Sequence, residues 1–335
     1  MTRDDLRALA LRLLRGEPDP AIRVRLLRDI LEIPEDDPRL VDAIAQLDQS
    51  PHVQALASEQ QPDGSWGRLH SQETRRKQRT ATTEVGVERA VALGLPSEHP
   101  ILANAAEYLV RVLEGDEVPT DPPERNDRWE TGVELFTAAT LSRILPDHPA
   151  LERPANLWGE IVRWTFADGR YDPEAEAEAH RALTGATVTG SYLVLSNRYT
   201  LTLLAARSDE IPAETLTALL AWICSNPAGI GYLSEAVGEP PALQSSGKLD
   251  RWLASWELLA RFAIDPPCTR VLLDALDESC TEDGLWDLGA RSSTSMMLPL
   301  SDDWRGKGKR TIDWTARILL LYADLLGPAS GRRLA

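Results

Sequence analysis

Residues 61–67 read QPDGSWG, and three later stretches repeat this pattern of a glycine followed closely by an aromatic residue. These stretches are FADGRYD (166–172), NPAGIGY (226–232) and TEDGLWD (281–287). The last three glycines, Gly169, Gly229 and Gly284, are 60 and 55 residues apart, and Gly115 divides the longer first step of 105 residues almost in half. A period of 50–60 residues in a chain of 335 indicates an internal repeat.

Prolines provide a second mark with nearly the same period. Each follows one apolar stretch with helical spacing and precedes another; they are Pro100, Pro149, Pro212 and Pro266. Proline suits the first turn of a helix, where its missing N–H has no partner to lose, and glycine directly after a helix suits the left-handed C-cap. The repeating unit is therefore predicted to be a helical hairpin.

Apolar stretches with helical spacing supply the helices of these hairpins. The predicted outer helices are 101–113, 150–166, 213–224 and 268–280, the partner helices are 82–93, 129–144, 191–206, 249–262 and 312–326, and two N-terminal amphipathic helices are 5–16 and 20–33. Ser50 and Pro51 are expected to begin a further outer helix as its N-cap and first residue. The sequence thus predicts an all-α fold, with about five hairpins in the domain 50–335 and an N-terminal helical extension, 1–49.

Charge and composition narrow the class of protein. Asp and Glu outnumber Lys and Arg by 52 to 36, and the resulting net charge of −16 repels nucleic-acid phosphates and anionic membrane surfaces. No stretch approaches the ~20 apolar residues of a membrane-spanning helix, and Asp and Arg interrupt the N-terminus too often for a signal peptide. Three widely spaced cysteines without a CxxC pair suit a reducing compartment. We expect a soluble cytoplasmic protein with no nucleic-acid partner and no stable membrane insertion, and a homo-oligomer is left open.

The first glycine stretch and the helix before it resemble the glutamine–tryptophan (QW) repeat of the prenyltransferase and squalene/terpenoid cyclase superfamily. In VQALASEQQPDGSWG (53–67), the residues that carry the resemblance are Leu56, Gln61, Asp63, Gly64 and Trp66. LLDALDESCTEDGLWDLG (272–289) resembles a second copy in which Asp283, Gly284 and Trp286 remain and the glutamine is lost. The resemblance implies an α/α toroid, in which outer and inner helices alternate around a central cavity.

In such a toroid the partner helices are the inner ones, and their starts surround the mouth of the cavity. Charged and aromatic residues concentrate near those starts in this sequence. The carboxylates predicted to act as catalytic acids or bases are Glu130, Glu134 and Asp313. The residues predicted to bind the ligand are Glu84, Trp129, Arg198, Tyr199, Asp250, Trp252, Trp256 and Trp314. The tryptophans either stabilise a cationic intermediate, by ~0.5–2 kcal/mol per contact, or fill gaps between helices; Arg198 either meets an anionic ligand or pairs with Glu134 or Asp250.

The metal and acid motifs of the superfamily are absent or altered. The DxDD motif of class II cyclases does not occur, and the zinc set of protein prenyltransferases fails because no histidine follows Asp277 and Cys280. A helix that began by residue 126 would place Asn126, Glu130 and Glu134 on one stripe, which resembles the second metal motif of class I terpene synthases. No DDxxD motif accompanies this stripe. No metal ligand is therefore predicted, and Mg²⁺ is the only cofactor that the stripe would suit.

The resemblance implies a terpenoid cyclase-like enzyme that cyclises or rearranges a hydrophobic, isoprenoid-type small molecule by acid/base chemistry in the cavity. Two alternatives stay open. One is a carbohydrate-active (α/α) barrel enzyme, since such barrels also use tryptophan platforms and carboxylate pairs. The other is a non-catalytic small-molecule-binding or scaffold toroid, because the catalytic motifs are missing. The segment YDPEAEAEAHRALTG (171–185), which contains His180, is interpreted as a solvated face or a lid over the cavity.

Overall fold

Helices make up the regular elements of the computed structural model, which describes residues 1–73, 77–186, 191–242, 246–290 and 299–327. Fourteen α-helices lie in these ranges, where the only strand-like pairing is an isolated bridge between Asn197 and Gly231. The prediction of an all-α fold is confirmed. Within the same ranges, no helix is both long and apolar enough to cross a bilayer.

The predicted helices are present, and most of their ends lie within three residues of the predicted ones. In chain order the helices are α1 (Arg3–Leu14), α2 (Pro20–Arg25), α3 (Pro38–Asp48), α4 (Pro51–Glu59), α5 (Thr83–Ala92), α6 (Pro100–Glu114), α7 (Trp129–Leu141), α8 (Glu152–Thr165), α9 (Pro173–Thr184), α10 (Arg198–Ala206), α11 (Ala213–Ser225), α12 (Ser246–Leu259), α13 (Thr269–Ser279) and α14 (Lys307–Leu326). A π-helical turn over Leu26–Ile30 continues α2. The sequence does not predict α3, and α10 begins seven residues later than predicted because the Asn197 side chain caps it by accepting a hydrogen bond from the Tyr199 N–H at 2.9 Å.

The marks at helix ends have the expected conformations. Pro51, Pro100 and Pro173 each occupy the first turn of a helix, and the side chain of the residue before each proline accepts a hydrogen bond from a backbone N–H of that turn. Gly115 caps α6 in the left-handed conformation, with φ of 83°. The four repeated glycines also have positive φ, between 66° and 93°. The proline and glycine marks therefore identify real helix boundaries.

Trp66, the tryptophan of the first QW-like stretch, joins an outer helix to its partner. Its indole is fully buried, and Nε1 donates a hydrogen bond to the carbonyl of Leu56 in α4 at 2.9 Å. Its backbone N–H donates to Thr83 Oγ1 at the start of α5, at 3.0 Å. Gly86 of α5 lies against the indole so closely that a Cβ there would be 2.4 Å from the ring. Trp66 thus fixes the distance between α4 and α5.

Trp286 makes the same two bonds in the second QW-like stretch. Nε1 donates to the carbonyl of Leu276 in α13 at 2.8 Å, and the backbone N–H donates to Thr315 Oγ1 in α14 at 3.0 Å. Thr281 stands where the first copy has Gln61, and the turn keeps the same backbone bond: the Thr281 N–H donates to the carbonyl of Leu285 at 2.8 Å, as the Gln61 N–H does to that of Ser65 at 2.7 Å. The two stretches are structural equivalents, although the glutamine is not shared.

The partner helices pack in a sequential order. α5 contacts α7, α7 contacts α10, α10 contacts α12, and α12 contacts α14, which in turn packs against α2. Arg25 in α2 donates a hydrogen bond to the carbonyl of Ala92 at the end of α5, at 2.9 Å, so α2 touches both ends of this series. The buried apolar residues form one cluster that includes Leu6 and Tyr322, and the boundary between residues 49 and 50 does not divide it.

A disulfide joins α11 to the residue that precedes α13. Cys224 in the last turn of α11 is bonded to Cys268, just before α13, and their Cα atoms are 5.9 Å apart. The sequence does not predict this pair because 44 residues separate the two cysteines and no local pattern links them. Since disulfides persist in oxidising surroundings, the cysteines no longer support a reducing compartment.

Candidate functional site

A cavity of about 550 Å³ lies between α2, α5, α10, α12 and α14 and the turn after α7. The C-terminal halves of α5, α12 and α14 supply much of its wall, so the cavity lies towards the helix ends opposite those where the sequence predicts the site. Its apolar wall includes Leu95, Ile144, Leu233, Leu258, Leu320 and Leu321. The same cavity is also strongly charged.

The described lining contains seven arginines and seven carboxylates. Five of these arginines pair with carboxylates, and the pairs are Arg3–Glu32, Arg25–Asp29, Arg28–Glu35, Arg198–Glu88 and Arg317–Glu257. Solvent reaches the walls, since the Arg198 and Glu88 side chains are 15% and 31% exposed. Enclosing a hydrocarbon against such walls would remove water from charged groups without replacing its hydrogen bonds, which is unfavourable. The cavity therefore favours a ligand with polar or charged groups.

Two cavity arginines, Arg143 and Arg261, have no such partner. Within the described residues, neither guanidinium makes an ion pair or a hydrogen bond, and Nε of Arg143 is buried without a partner. Enclosure by the cavity walls, followed by repulsion from the Arg143 charge, lowers the pKa of Arg261 to about 9. Both groups are cations at neutral pH.

The positive charges of Arg143 and Arg261 also affect the pKa of Glu88. Its burial alone would raise the pKa of the carboxyl group, but attraction to Arg198, Arg143 and Arg261 outweighs burial, and the pKa is lowered. The charges of three cavity arginines thus act on one carboxylate, and Arg198 is bonded to it directly at 3.1 Å. Asp324 also lines the cavity, where burial raises its pKa to about 6 despite attraction to Arg25 and Arg261.

A second polar cluster lies near the starts of α5 and α10. His70 is its centre: Nδ1 lies 3.1 Å from Glu84 Oε2 and 3.2 Å from the Tyr199 hydroxyl, and Nε2 lies 3.4 Å from the Tyr232 hydroxyl. The imidazole stacks on Phe136 with ring centroids 4.1 Å apart. If Nδ1–H donates to Glu84, Nε2 is left as an acceptor that faces the Tyr232 hydroxyl.

Backbone hydrogen bonds fix the loop that carries His70, and an unusual backbone conformation positions Tyr232. The Asp121 carboxylate accepts hydrogen bonds from the N–H groups of Leu69, His70 and Ser71 at 2.6, 3.0 and 2.6 Å. Tyr232 has φ of 70°, which costs free energy for a residue with a Cβ, and 43% of it is exposed. Partial burial and the charges of Glu84 and Glu124 raise the pKa of Tyr232 to about 12, so its hydroxyl keeps its proton at neutral pH.

The predicted ligand-binding residues are divided between these places and the core. Arg198 lines the cavity, and it alone does so among the predicted site residues, all of which are described. Glu84 and Tyr199 belong to the His70 cluster. Asp250 is fully buried, and its Oδ1 lies 2.5 Å from the guanidinium of Arg317, which lines the cavity.

The predicted tryptophans are packing residues rather than cavity walls. Trp252, Trp256 and Trp314 are almost completely buried, and the indoles of Trp252 and Trp314 donate to the carbonyls of Val237 and Gly289 at 3.0 and 2.8 Å. Trp129 is half-buried at the first residue of α7. Of the two interpretations of these side chains, the positions favour filling the gaps between helices.

The three predicted catalytic carboxylates do not converge. Glu130 is exposed on α7, and Glu134 forms an ion pair with Arg153 at 2.6 Å. Asp313 is fully buried and accepts a hydrogen bond from the Ser301 N–H at 2.7 Å, which holds the loop before α14. Glu134 and Asp313 thus make structural contacts, and the catalytic role of all three carboxylates stays a prediction.

The predicted magnesium stripe is not formed. α7 begins at Trp129, so Asn126 lies before the helix, where its side chain accepts a hydrogen bond from the Arg128 N–H at 2.9 Å. Among the residues that the structure describes, no group of three or more His, Cys, Asp or Glu side chains is placed to hold a metal ion. Binding of Mg²⁺ itself stays an untested prediction.

The interpretation of residues 171–185 as a lid is wrong. The helix they form, α9, packs against the outer helix α8, and no described residue of α9 lines the cavity. His180 is completely buried, with its ring edge against Trp158 at a centroid distance of 5.3 Å. It packs α9 onto α8.

Sequence reasoning missed Arg143 and Arg261, although each carries a signal. Arg143 lies two residues after α7 and is followed by Ile144 and Leu145, and Arg261 lies two residues after α12 between Ala260 and Phe262. An arginine enclosed by apolar residues at the end of a buried helix is an expected cavity residue. His70 and Tyr232 lie in loops without any helical pattern, and only the folded chain brings them together.

Comparisons of the chain with models of protein families, with curated proteins and with solved structures give no match.

Proposed function

We propose that the chain is an α/α toroid that binds a small molecule with charged groups in its central cavity. The order of helix contacts supports the toroid: α5, α7, α10, α12 and α14 contact one another in turn, and α2 touches both α14 and α5. Further helices pack on the outside of this series, as α8 does on α7 and α10. In this arrangement α2 takes the place of a sixth inner helix.

The observation that carries the binding function is the charged lining of a cavity large enough for a metabolite. Its volume of about 550 Å³ lies within the range of small-molecule sites, roughly 300–1,000 Å³. Paired arginines and carboxylates can exchange hydrogen bonds with a polar ligand, while the leucines of the wall accommodate an apolar part. Glu130, Glu134 and Asp313 lie outside this lining, so acid-initiated cyclisation of an isoprenoid there would lack the acids predicted for it.

A cavity-filling variant tests the binding function. Ala254 on α12 lines the cavity, and Ala254→Phe would occupy part of its volume; Ala57→Phe, on the exposed face of α4, is the matched control. Each protein is incubated with an extract of small molecules, washed and analysed by native mass spectrometry. We expect a polar adduct on the wild type and on the control, and its loss from Ala254→Phe with unchanged helix content. Retention of the adduct by Ala254→Phe, or no polar adduct on the wild type, would refute the function.

A second candidate function, acid–base chemistry at His70, is favoured by the contacts of its two ring nitrogens. Glu84 orients Nδ1 while Nε2 faces the hydroxyl of Tyr232, which is the arrangement of a general base beside a hydroxyl group. The strained φ of Tyr232 supports this function, because such strain clusters at functional sites.

Hydrolysis of p-nitrophenyl acetate measures the reactivity of Nε2. We expect His70→Gln to lower the rate at least about tenfold, with a partial loss in Glu84→Gln, since an oriented base contributes ~100-fold or more. His52→Gln, a half-buried histidine 3.6 Å from Asp302, is the control. Equal rates in His70→Gln and His52→Gln would exclude a reactive His70.

A further inference from the structure

We propose that Arg143 and Arg261 form a binding site for the phosphate group of a small molecule in the cavity. This proposal rests on the proposed function, because it names the chemical class of the cavity's ligand. Nothing in the superfamily resemblance points to these two residues, which lie at the ends of the inner helices, away from the predicted mouth.

The two arginines line the same cavity and follow two helices that both pack against α10. Arg143 lies in the turn after α7, and Arg261 lies in the turn after α12. α10 packs against both of these helices. The Arg143 charge is close enough to lower the pKa of Arg261, and both charges act on Glu88, so the three groups face one region of the cavity.

Two of the arginines in this region have no ion pair among the described residues. Glu88 is bonded to Arg198 at 3.1 Å, which accounts for one arginine and one carboxylate. Arg143 and Arg261 then remain as two neighbouring cations, and the described residues provide neither with an ion pair. The negative ends of α7 and α12 stabilise a cation only by ~0.3–1 kcal/mol each, which does not replace a counter-ion. Asp324, whose pKa is raised to about 6, attracts Arg261 without forming an ion pair, and it offsets only part of the combined charge of the two arginines.

A phosphate group fits both the charge and the hydrogen-bond donors. A phosphate monoester carries a charge of about −2 at neutral pH and has three acceptor oxygens. Guanidinium groups present paired N–H donors whose spacing matches phosphate oxygens. The buried Nε–H of Arg143, which has no acceptor among the described residues, would gain one. A carboxylate would neutralise only one of the two arginines, so a phosphate is the better match.

Binding of inorganic phosphate, measured by isothermal titration calorimetry and by ³¹P line broadening, tests the site. We expect wild-type protein to bind phosphate, and Arg143→Gln and Arg261→Gln each to weaken binding about 10- to 100-fold, as loss of a charge-assisted contact predicts. Arg39→Gln, an exposed arginine paired with Asp37, is the matched control and should bind like the wild type. Acetate at the same ionic strength should bind far more weakly than phosphate.

Stability in phosphate-free buffer separates loss of the site from loss of the fold. Removing one of two repelling cations should leave Arg143→Gln and Arg261→Gln at least as stable as the wild type, and phosphate should raise the Tm of the wild type alone. Equal phosphate affinity in all four proteins, or a Tm shift no larger than sodium chloride gives, would overturn the proposal.

The adduct experiment distinguishes failure of this proposal from failure of the proposed function. If both arginine variants keep the polar adduct and the wild type binds no phosphate, the cavity binds a ligand by other groups and only the phosphate site is wrong. If the wild type takes up neither phosphate nor a polar adduct, both are wrong.

Discussion

Replacing each tryptophan of the two QW-like stretches by phenylalanine should destabilise the protein by the same amount. The indoles of Trp66 and Trp286 are buried and each donates one hydrogen bond to a carbonyl of the preceding helix. Phenylalanine lacks that donor, which costs about 1 kcal/mol, since the carbonyls of Leu56 and Leu276 also accept other hydrogen bonds. The smaller ring leaves roughly 40 Å³ unfilled, which costs about 1 kcal/mol more. We expect each variant to lose about 2 kcal/mol of unfolding free energy.

Two other tryptophans act as controls for the two contributions. Trp256 is equally buried, but its Nε1 has no hydrogen-bond partner in the described structure, so Trp256→Phe creates the cavity and removes an unsatisfied donor. Its cost should be below about 1 kcal/mol. Trp164 is 39% exposed and bonds only to the Glu160 side chain at the surface, and Trp164→Phe should change stability by no more than ~0.5 kcal/mol.

Urea denaturation followed by circular dichroism at 222 nm measures all four variants. The expected order of loss is Trp66→Phe equal to Trp286→Phe, then Trp256→Phe, then Trp164→Phe. A loss in Trp256→Phe as large as in Trp66→Phe would show that ring volume alone matters and that the indole hydrogen bond does not. Unequal losses at Trp66 and Trp286 would contradict the structural equivalence of the two stretches.

Three further predictions concern a close contact, a covalent link and an ion pair. Gly86→Ala should lower the free energy of unfolding by about 1–3 kcal/mol despite the better helix propensity of alanine, because its Cβ would lie 2.4 Å from the Trp66 ring. Gly308→Ala, in open space on α14, should be neutral or raise the free energy of unfolding by up to ~1 kcal/mol. Urea denaturation of both variants checks this, and a Gly86→Ala variant as stable as the wild type would contradict the packing. In the double variant Cys224→Ser/Cys268→Ser, the free energy of unfolding should fall by up to about 4 kcal/mol, because the disulfide closes a loop of 44 residues. Dithiothreitol should lower the Tm of the wild type but not of this variant. The Asp287 carboxylate accepts two hydrogen bonds of 2.8 Å from Arg310, and these lower the pKa of Asp287 below 3.8. The stabilisation from this ion pair is therefore complete above pH 4 and is lost as the pH falls through the lowered pKa. Asp287→Asn should lower the free energy of unfolding by about 1 kcal/mol at pH 7, and its Tm should decline less steeply between pH 4 and 2 than that of the wild type.

The helices were predictable because their signals are local. Proline in a first turn and glycine after a last turn act through the conformation of one residue, and both act in this chain as the sequence indicates. The start of α10 was not predictable from periodicity, since Ser191–Leu193 and the residues that follow it carry apolar side chains with helical spacing although the helix begins at Arg198. The Asn197 cap decides that boundary, and an asparagine within an apolar run is a weak signal.

The disulfide and the His70 cluster depend on contacts between distant parts of the chain. Cys224 and Cys268 meet because α11 and the start of α13 are neighbours, and a single sequence does not specify that distance. His70 and Tyr232 meet across 162 residues in the same way. One sequence can therefore identify the repeating unit, but it does not specify which loops of different units meet.

The contacts of the charged side chains explain why the candidate site lies in the cavity. Buried carboxylates satisfy backbone donors in this chain, as Asp121 does in the loop before α5 and Asp313 in the loop before α14, so a concentration of acids indicates stability before it indicates catalysis. Five of the seven arginines in the described cavity lining are explained by such contacts, because a carboxylate pairs with each of them. Arg143 and Arg261 line the cavity without an ion pair to any described residue, and this lack of a direct partner, rather than the number of charges, supports the proposed ligand site.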